Sequence, residues 1–560
     1  MSNKAEGRGT VADGGLGDGP PPGRLADAAA RGRAVSNAIR RRDFSGKPVH
    51  LLMVLLAGAA SAKVAVAGVD DAGRADSTKP ATELAGGQKV SPATSMLRVS
   101  VTSQAYNFSL PWQKRPPTTR QGLGALITGN QVLVTAELIQ DANYIELEQA
   151  LSGRKITAQA QTIDYEANLA LLKPVEDAGD FFRGMVALEL GKSPPKKGDK
   201  FDVWQFEENG SPVITEITFE KAELGNYFLE NSYFLQFEAN GAVSYRAGSF
   251  TLPVLHQGKL AGMLLTYSSK DQVAEILPYP IINRFVEDAA DGPYDGFPNF
   301  GVRFAPTLDE QLRSYLKLTN HAGGILVTGL MSGTSAAVSG LKEGDVLLQI
   351  NGKDIDARGN YYDETWGMMA LGHLVKGNAR VGDELKTKII RNGEAMDLAV
   401  KMTRKTPSQY LIDPYMFDRG PRFLIAGGLV FQELTQTFLE AFGKEWRDRA
   451  SFKLVYAVAH PESYEKEGRR KLVFLAGVLP SESSLGYEGI GGSVIKRVNG
   501  IDIKDIKDLD AALKTPIEGI HKVEIDDSPY TLYLDASLAE QDNTSLLPQR
   551  YRIRDLKRLE

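Results

Sequence analysis

The chain has 560 residues, of which 42% are hydrophobic and 24% charged, a balance typical of a folded globular protein with room for about three or four domains. Its formal net charge of −5 speaks against nucleic-acid binding, which requires clustered Lys and Arg in excess. There is no cysteine, so disulfides and thiolate chemistry are excluded, and the six histidines show no HxH or HxxxH spacing. The sequence therefore predicts no metal site and no cofactor.

Residues 1–62 have the composition of a disordered extension that ends in an export signal. Gly, Pro, Ala and Arg dominate Met1 to Arg42, which offers no hydrophobic core. An apolar run from His50 to Ala59 follows basic residues and ends in Ala60-Ser61-Ala62, the pattern of a signal peptide at about residues 40–62. A short buried helix is the alternative, but the Gly- and Pro-rich surroundings give it nothing to pack against.

The basic segment of this signal also resembles the twin-arginine motif. Arg41-Arg42-Asp43-Phe44 is followed by Lys47, although Arg40 stands where Ser or Thr is usual. We expect export to the periplasm or another extracytoplasmic compartment, cleavage near Ala62, a linker over residues 63–95, and no stable membrane span in the mature form. The extension ahead of the apolar run is unusually long, which a start codon assigned too far upstream would explain.

Short β-type runs recur from Met96 to about Ala290 and predict an all-β barrel or sandwich. Three segments among them read, in order, GLGALITGNQVLVTAELI, IDYEANLALLKP and YRAGSFTLPVLHQGKLAGMLL. In order and separation they resemble the histidine, aspartate and serine segments of the HtrA/Deg family of trypsin-like proteases, and YNFSLPWQKRPP before them is similar to plant-type members. The resemblance implies a mainly β protein, with a trypsin-like double β-barrel over residues 96–290 followed by two PDZ-like α+β domains.

The same resemblance implies that all three catalytic positions are substituted. Glu137 stands at the histidine position, Asn168 at the aspartate position and Phe250 at the serine position. Gly248 keeps the place of an oxyanion-hole glycine. A serine becomes a nucleophile only when a base such as imidazole takes its proton, and residues 96–255 contain no histidine. Loss of the nucleophile or the base alone lowers turnover by about 10⁶ in well-studied triads, so we expect no proteolysis.

An unorthodox active site is the alternative interpretation. A one-residue shift of the third segment would make Ser249 a nucleophile with Glu137 as its base, which requires a Glu137 pKa raised toward neutrality. His256 lies on the next predicted strand, so we do not expect it to replace the base. The simpler interpretation of Glu137 is a strand-end residue in a cleft that has lost its chemistry.

A second folded unit is expected over residues 294–404. Ile325–Val327 and Val346–Ile350 have the composition of strands, and Ser335–Ser339 that of a short helix. The hairpin signals, which favour two adjacent residues with positive φ, are Asn351-Gly352 and Asn392-Gly393. The run GGILVTGLMSGTSAAVSGLKEGDVLLQINGKDI closely resembles a PDZ domain of the HtrA kind.

PDZ domains bind a partner's C-terminus as an added strand while backbone N–H groups hold its carboxylate. By resemblance the carboxylate loop is Asn299-Phe300-Gly301, and the receiving strand edge runs from Val302 to Phe304. The alternative is that Phe300 is an ordinary core residue and the groove is blocked.

A third unit, residues 412–547, contains the runs FLIAGGLVFQELT and LAGVLPSESSLGYEGIGGSVIKRVNGIDIKDIKDLDAAL. These resemble the second PDZ domain of plant-type Deg proteins, which family members often use for assembly. Asn499-Gly500 again signals a hairpin. The run KEWRDRASFKLVYAVAHPESYEKEGRRK is expected to be a charged, solvated insertion of helix and loop.

Two classes of function follow. The first is an exported pseudoprotease that binds protein C-termini or unfolded polypeptides, as a scaffold, chaperone or regulator in protein quality control. The second is a peptidase with the Ser249/Glu137 site. Tyr106, Phe108 and Trp112 stand where family members trimerise, so we expect a homo-oligomer, a trimer or a multiple of three, which an active relative could join.

Overall fold

The computed structural model of the chain describes residues 92–230, 232–244, 251–318 and 320–560. The predicted export signal at residues 40–62 lies outside these ranges, as do Gly248, Ser249 and Phe250. Within the described ranges no helix is long and apolar enough to cross a membrane. Nor do the side chains described there include a group of three or more that could hold a metal ion.

Barrel 1 contains the strands β1 (Met96–Ser103), β2 (Thr118–Ile127), β3 (Gln131–Val134), β4 (Ala142–Gln149), β5 (Lys155–Asp164) and β6 (Leu169–Pro174). They close in the order β1-β2-β3-β6-β5-β4. Leu97 and Val99 of β1 are fully buried. Gly124 lets β2 curve across β3, since a Cβ there would lie 2.4 Å from Cγ1 of Val132. The short helix α1 (Ala136–Ile139) follows β3.

Barrel 2 contains β7 (Lys200–Phe206), β8 (Pro212–Asn226), β9 (Tyr233–Asn240), β10 (Pro253–His256), β11 (Lys259–Ser268) and β12 (Val273–Pro278). They close in the order β10-β11-β12-β9-β8-β7, and helix α2 (Tyr279–Ala290) follows. The ring of Phe219 lies 5.6 Å from that of Phe201 and 5.2 Å from that of Phe237, centroid to centroid. These aromatic contacts fill the barrel, and the predicted double β-barrel is confirmed.

The middle unit forms a sheet from β13 (Val302–Pro306), β14 (Ile325–Leu330), β15 (Val346–Ile350), β16 (Lys353–Asp354), β19 (Glu384–Arg391) and β20 (Glu394–Lys401), with a separate hairpin of β17 (Asn360–Asp363) and β18 (Gly367–Ala370). Its strand order is β13-β14-β15-β19-β20, and β16 pairs with β15. Its helices are α3 (Glu310–Tyr315), α4 (Ser335–Val338) and α5 (Leu371–Lys376).

The C-terminal unit contains β21 (Phe423–Ala426), β22 (Leu429–Glu433), β23 (Val473–Val478), β24 (Ser493–Val498), β25 (Ile501–Asp502), β26 (Ile520–Ile525), β27 (Thr531–Asp535) and β28 (Lys557–Arg558). Its helices are α6 (Gln436–Glu440), α7 (Trp446–Arg449), α8 (Phe452–Ala459), α9 (Pro461–Glu465), α10 (Ile506–Ala512), α11 (Ala536–Gln541) and α12 (Leu547–Arg550). The strand order is β27-β26-β24-β23-β22-β21-β28, with β25 on β24, so the sheet continues beyond residue 547.

The three predicted Asn-Gly hairpins are confirmed by their backbone angles. The φ values are 48° and 80° at Asn351-Gly352, 53° and 83° at Asn392-Gly393, and 51° and 81° at Asn499-Gly500. Asparagine tolerates this left-handed region better than most residues and glycine tolerates it freely, so each dipeptide fixes the register of its hairpin.

Two segments differ from the sequence-based expectation. The charged insertion that carries α7 to α9 is not simply solvated, because Trp446 and Leu454 are buried in the core of the C-terminal unit. Phe108 is buried in the same cluster, and the ring of Trp112 packs 6.4 Å from that of Phe423. The aromatic residues proposed for a trimer contact therefore pack within one chain, and self-association stays a prediction that needs another surface.

Barrel 1 is joined to the following units by a buried carboxylate. Asp164, at the end of β5, is 1% exposed. Its Oδ2 accepts hydrogen bonds from the hydroxyl of Tyr294 at 2.7 Å and from Nη2 of Arg404 at 3.1 Å, and its Oδ1 accepts from the N–H of Ala167 at 2.9 Å. All three donors compensate a charge that would otherwise be buried alone.

Replacing Asp164 by Ala leaves the Arg404 guanidinium, whose side chain is 18% exposed, without its carboxylate. Removing one partner of a buried pair destabilises by about 3–5 kcal/mol. We therefore expect Asp164→Ala to lower the first unfolding transition in scanning calorimetry by several degrees. Asp291→Ala, at an exposed position after α2, is the control and should leave the transition in place. Equal transitions in the two variants would contradict the structural role of Asp164.

Candidate functional site

Glu137 and Asn168, two of the three predicted triad positions, lie next to each other in barrel 1. Glu137 is in the first turn of α1, directly after β3. Asn168 precedes β6 with a φ of 53° and is 1% exposed. The Oδ1 atom of Asn168 accepts a hydrogen bond from the N–H of Glu137 at 2.9 Å, and Nη1 of Arg120 donates to the Glu137 carbonyl at 2.8 Å. The Asn168 amide thus binds backbone and not an imidazole.

A cavity of about 210 Å³ lies beside these two residues, between the barrels. Thr135, Ser244 and Thr251 line it together with the barrel 2 segment Leu264–Tyr267. Burial raises the pKa of the Glu137 carboxyl above its usual value, and the Arg120 charge and the Asn168 side chain oppose that shift. The cavity is therefore a partly desolvated site with a carboxyl whose charged form is disfavoured.

The remaining positions of the predicted site are not part of this geometry. Phe250, Ser249 and Gly248 lie outside the described residues. His256 lines a different cavity with Phe201, and its Nδ1 lies 3.0 Å from the Lys200 carbonyl oxygen. Among the residues described, the cavity beside Glu137 is lined by no histidine.

The second candidate site is the loop that precedes β13. The carbonyls of Asn299, Phe300 and Gly301 accept hydrogen bonds from the N–H groups of Ser335, Ala336 and Met331, respectively, at 3.0, 3.1 and 2.8 Å. The N–H groups of Phe300 and Gly301 themselves have no hydrogen-bond partner in the described part of the chain. With its carbonyls bound and two N–H groups free, the loop presents donors suited to an anion.

Gly301 is required by this geometry. Its φ is +73°, and a Cβ at this position would lie 2.0 Å from Oγ1 of Thr334. Any side chain would therefore displace the Thr334 segment and move the two free N–H groups.

The strand after the loop has one free edge. β13 pairs only with β14 among the described strands, as the terminal strand of its sheet. Val302 faces Leu330. The hydrogen bond between the strands at this point joins their neighbours, from the N–H of Met331 to the carbonyl of Gly301. Val302 and Leu330 are therefore a non-hydrogen-bonded pair of the antiparallel ladder. The main-chain N–H and C=O of Val302 consequently point away from β14, toward the edge where an added strand could bind.

A cavity of about 450 Å³ extends along this edge. Phe300, Val302 and Phe304 line it on one side, and Leu371 and Val375 of α5 on another. Phe300 is only partly buried, so it packs against the core and also lines the cavity. The structure brings all five predicted peptide-site residues, Asn299 included, to one groove.

The C-terminal unit has no such free edge. β22, which occupies in its sheet the place that β13 occupies in the middle unit, pairs with β23 on one side and with β21 on the other. β28 then pairs with β21. The chain's own strands therefore occupy the position where a peptide strand would bind.

Several cavity residues were not anticipated from the sequence. Glu166 from the β5–β6 turn, Lys376 of α5, and Lys405 and Tyr410 after β20 all line the cavity beside β13. They come from sequence segments far from the Asn299-Phe300-Gly301 loop. No periodicity or turn motif in the sequence connects Lys405 with this loop, so their proximity could not be predicted from the sequence.

Comparison with known families identifies both units. A model described as "PDZ domain" matches residues 301–360, and a second PDZ domain model matches residues 412–557. The chain is 26% identical over 421 residues to Protease Do-like 2, chloroplastic, of Arabidopsis thaliana, which covers 74% of this chain and 67% of the relative. It is 24% identical over 448 residues to Protease Do-like 4, mitochondrial, of the same plant, covering 79% and 80%.

The chain thus contains two PDZ domains and is similar to Do-like proteases over about three quarters of its length. The middle and C-terminal units are referred to below as PDZ domain 1 and PDZ domain 2. Among solved structures, the HtrA-type protease AlgW with decapeptide is similar with a TM-score of 0.42 and 19% identity, over 56% of this chain and 97% of that chain. In this chain Glu137 and Asn168 line the cavity between the two barrels.

The raised pKa of Glu137 predicts a pH-dependent effect on stability. Because the folded state holds the Glu137 proton more tightly than the unfolded state, this carboxyl contributes less and less to stability as pH rises. We expect Glu137→Gln to raise the unfolding temperature at about pH 8, with a gain that fades toward pH 4, where the carboxyl is protonated in both states. Glu176→Gln, at an exposed site, is the control. A loss of stability in Glu137→Gln at about pH 8 would rule out the desolvation argument.

Proposed function

We propose that this HtrA/Deg protein is a pseudoprotease that binds the free C-termini of other polypeptides through PDZ domain 1. The observation that carries the proposal is the pair of unsatisfied N–H groups at Phe300 and Gly301, placed at the end of the free β13 edge. A peptide that adds to this edge gains main-chain hydrogen bonds, and its terminal carboxylate meets the two donors. The function is a scaffold, chaperone or regulator in protein quality control.

The lost catalytic chemistry supports this proposal. Asn168 uses its carbonyl oxygen to hold the Glu137 N–H, and no described residue of the inter-barrel cavity supplies an imidazole. With Phe250 at the predicted nucleophile position and no histidine among the described residues that line the cleft, we infer that the serine and imidazole pair of an active protease is lost. Such a cleft can hold a polypeptide but does not cleave it.

A second candidate is a peptidase in which Ser249 attacks and Glu137 acts as the base. The observation that favours it is the raised pKa of Glu137, because a general base works best with a pKa near the operating pH. Against it stands the role of Asn168, which binds backbone and offers no carboxylate to support a charged partner.

Location and assembly are part of the proposal. The signal-like segment at residues 40–62 supports export from the cytoplasm, whereas the Arabidopsis relatives carry the names chloroplastic and mitochondrial. Homo-oligomers, alone or mixed with an active relative, would let several PDZ domains bind one client, which increases the effective affinity.

The two candidates differ in their reaction with a fluorophosphonate serine probe. We expect the chain from residue 63 onward neither to hydrolyse casein nor to react with the probe, since triads that lack the nucleophile or the base lose about 10⁶ in turnover. Probe labelling that disappears in Ser249→Ala would establish the peptidase instead. Glu137→Gln serves as the matched variant. It should reduce probe labelling if Glu137 is the base of a peptidase, and it should have no effect on labelling if the protein is a pseudoprotease.

Peptide binding can be tested with a library of labelled decapeptides that end in apolar residues. We expect affinities on the order of micromolar, or about −8 kcal/mol, because few side chains contribute. Amidation of the C-terminus should weaken binding at least about tenfold by removing charge-assisted hydrogen bonds. Equal affinity for acid and amide forms, measured by calorimetry, would show that the groove is not a carboxylate site.

A substitution at Gly301 gives a matched test of the same loop. We expect Gly301→Ala to abolish binding of the acid peptides, because its Cβ would overlap Thr334. Gly340→Ala is the control: Gly340 also has a positive φ, +86°, but its Cβ would meet nothing within 4 Å. The control should therefore lose about 1 kcal/mol of stability through backbone strain and keep its affinity. Equal affinity of Gly301→Ala and wild type would place the peptide elsewhere.

A further inference from the structure

Three cationic side chains line the cavity beside β13, and they differ in their partners. Nη2 of Arg303 lies 3.5 Å from a carboxylate oxygen of Glu462, and Nζ of Lys376 lies 3.6 Å from one of Glu166. Lys405 has no carboxylate oxygen within 4 Å among the described residues, although the whole residue is only 4% exposed. It is a buried cation that forms no ion pair within 4 Å among the described residues.

The contacts of Lys405 leave hydrogen-bonding capacity unused. Its Nζ donates one hydrogen bond, to the Ser332 carbonyl at 2.5 Å, and lies 4.3 Å from the centroid of the Tyr410 ring. An ammonium group has three N–H donors, so two remain without a partner in the part of the chain that the structure describes. Buried ammonium groups are normally fully bonded, so the two remaining donors suit an acceptor that enters the cavity.

Lys405 lies against the carboxylate loop of PDZ domain 1. A methyl group at Gly333 would lie 3.8 Å from Cε of Lys405, and the next residue, Thr334, is the one that limits Gly301. On the other side, the Tyr410 hydroxyl accepts a hydrogen bond from Nδ2 of Asn299 at 2.9 Å. Lys405 is thus held between the two segments that shape the loop with the free N–H groups.

The position of Lys405 is fixed by the residues before it. The Thr403 carbonyl accepts a hydrogen bond from the N–H of Asn299 at 2.8 Å, and Arg404 is bound to Asp164. Burial lowers the pKa of Lys405, an effect that the nearby charge of Glu465 on α9 opposes and that of Lys471 reinforces. An incoming anion would compensate the charge of this desolvated ammonium group.

We propose that Lys405 supplies the cation that receives the terminal carboxylate of the bound peptide, together with the N–H groups of Phe300 and Gly301. This inference rests on the proposed function. The peptide site then contains residues from two separate segments, because Lys405 lies beyond β20, in the segment that leads to PDZ domain 2. The ligand is a polypeptide with a free C-terminal carboxylate. The negative charge of this carboxylate distinguishes a chain end from an internal segment of a polypeptide.

The test uses the chain from residue 63 onward and the tightest-binding decapeptide of the library, as free acid and as C-terminal amide, in fluorescence anisotropy. We expect Lys405→Met to weaken binding of the acid form at least about tenfold and to leave the amide form unchanged, since only the acid form carries the charge. Lys405→Arg, which keeps the charge, should recover most of the affinity. Lys388→Met removes an exposed lysine of β19 that does not line the cavity, and it should behave as wild type.

The outcomes separate the inference from the proposed function. If wild type binds neither form, or both equally, the proposed function fails and the inference fails with it. If wild type prefers the acid form but Lys405→Met loses the same factor from both forms, or loses nothing, Lys405 has a structural role or none, and only the inference fails. Failure of Lys405→Arg to recover affinity lost in Lys405→Met would likewise exclude a charge-based role.

Discussion

The turn between β5 and β6 is the constraint on which both sites depend. Within five residues it carries three polar side chains that point to three parts of the molecule. Asp164 binds Tyr294 and Arg404, Glu166 lies beside Lys376 of α5, and Asn168 holds the backbone of the helix that bears Glu137. The cavity between the barrels and the groove beside β13 are therefore built on opposite ends of one short segment.

Desolvation explains why this turn fixes the geometry. Burial raises the pKa of the Glu166 carboxyl, and the charge of Lys376 opposes that shift. Because a buried carboxylate is strongly destabilised when its cation is removed, the cations cannot move without a large loss of free energy. The bond between Asp164 and Arg404 holds the chain after β20 against barrel 1, and so sets the direction in which the next residue, Lys405, enters the groove.

Local features of the chain were predictable from the sequence, and long-range contacts were not. The β-type runs predicted an all-β region, the family resemblance predicted its division into two barrels, and the Asn-Gly dipeptides located three hairpins because their backbone preference is local. The pairing of β28 with β21, the burial of Phe108 against PDZ domain 2 and the approach of Lys405 to Gly333 depend on contacts between distant segments. At the candidate site, the motif positions predicted that Glu137 and Asn168 lie close together. They did not predict that Asn168 accepts a hydrogen bond from the N–H of Glu137, because this depends on the three-dimensional contact.

The two PDZ domains show opposite solutions to the problem of an exposed strand edge. PDZ domain 2 covers the edge of β22, which corresponds to the free edge of β13, with β21 and β28. PDZ domain 1 keeps the β13 edge free, but its register shifts between Arg303 and Phe304, and Arg303 places a charge there. Bulges and charges on an edge prevent long strands from adding to it. A short C-terminal peptide needs only the few main-chain bonds near Val302 and hydrogen-bond donors for its carboxylate, so such an edge can stay free of aggregation while remaining open to this one ligand class.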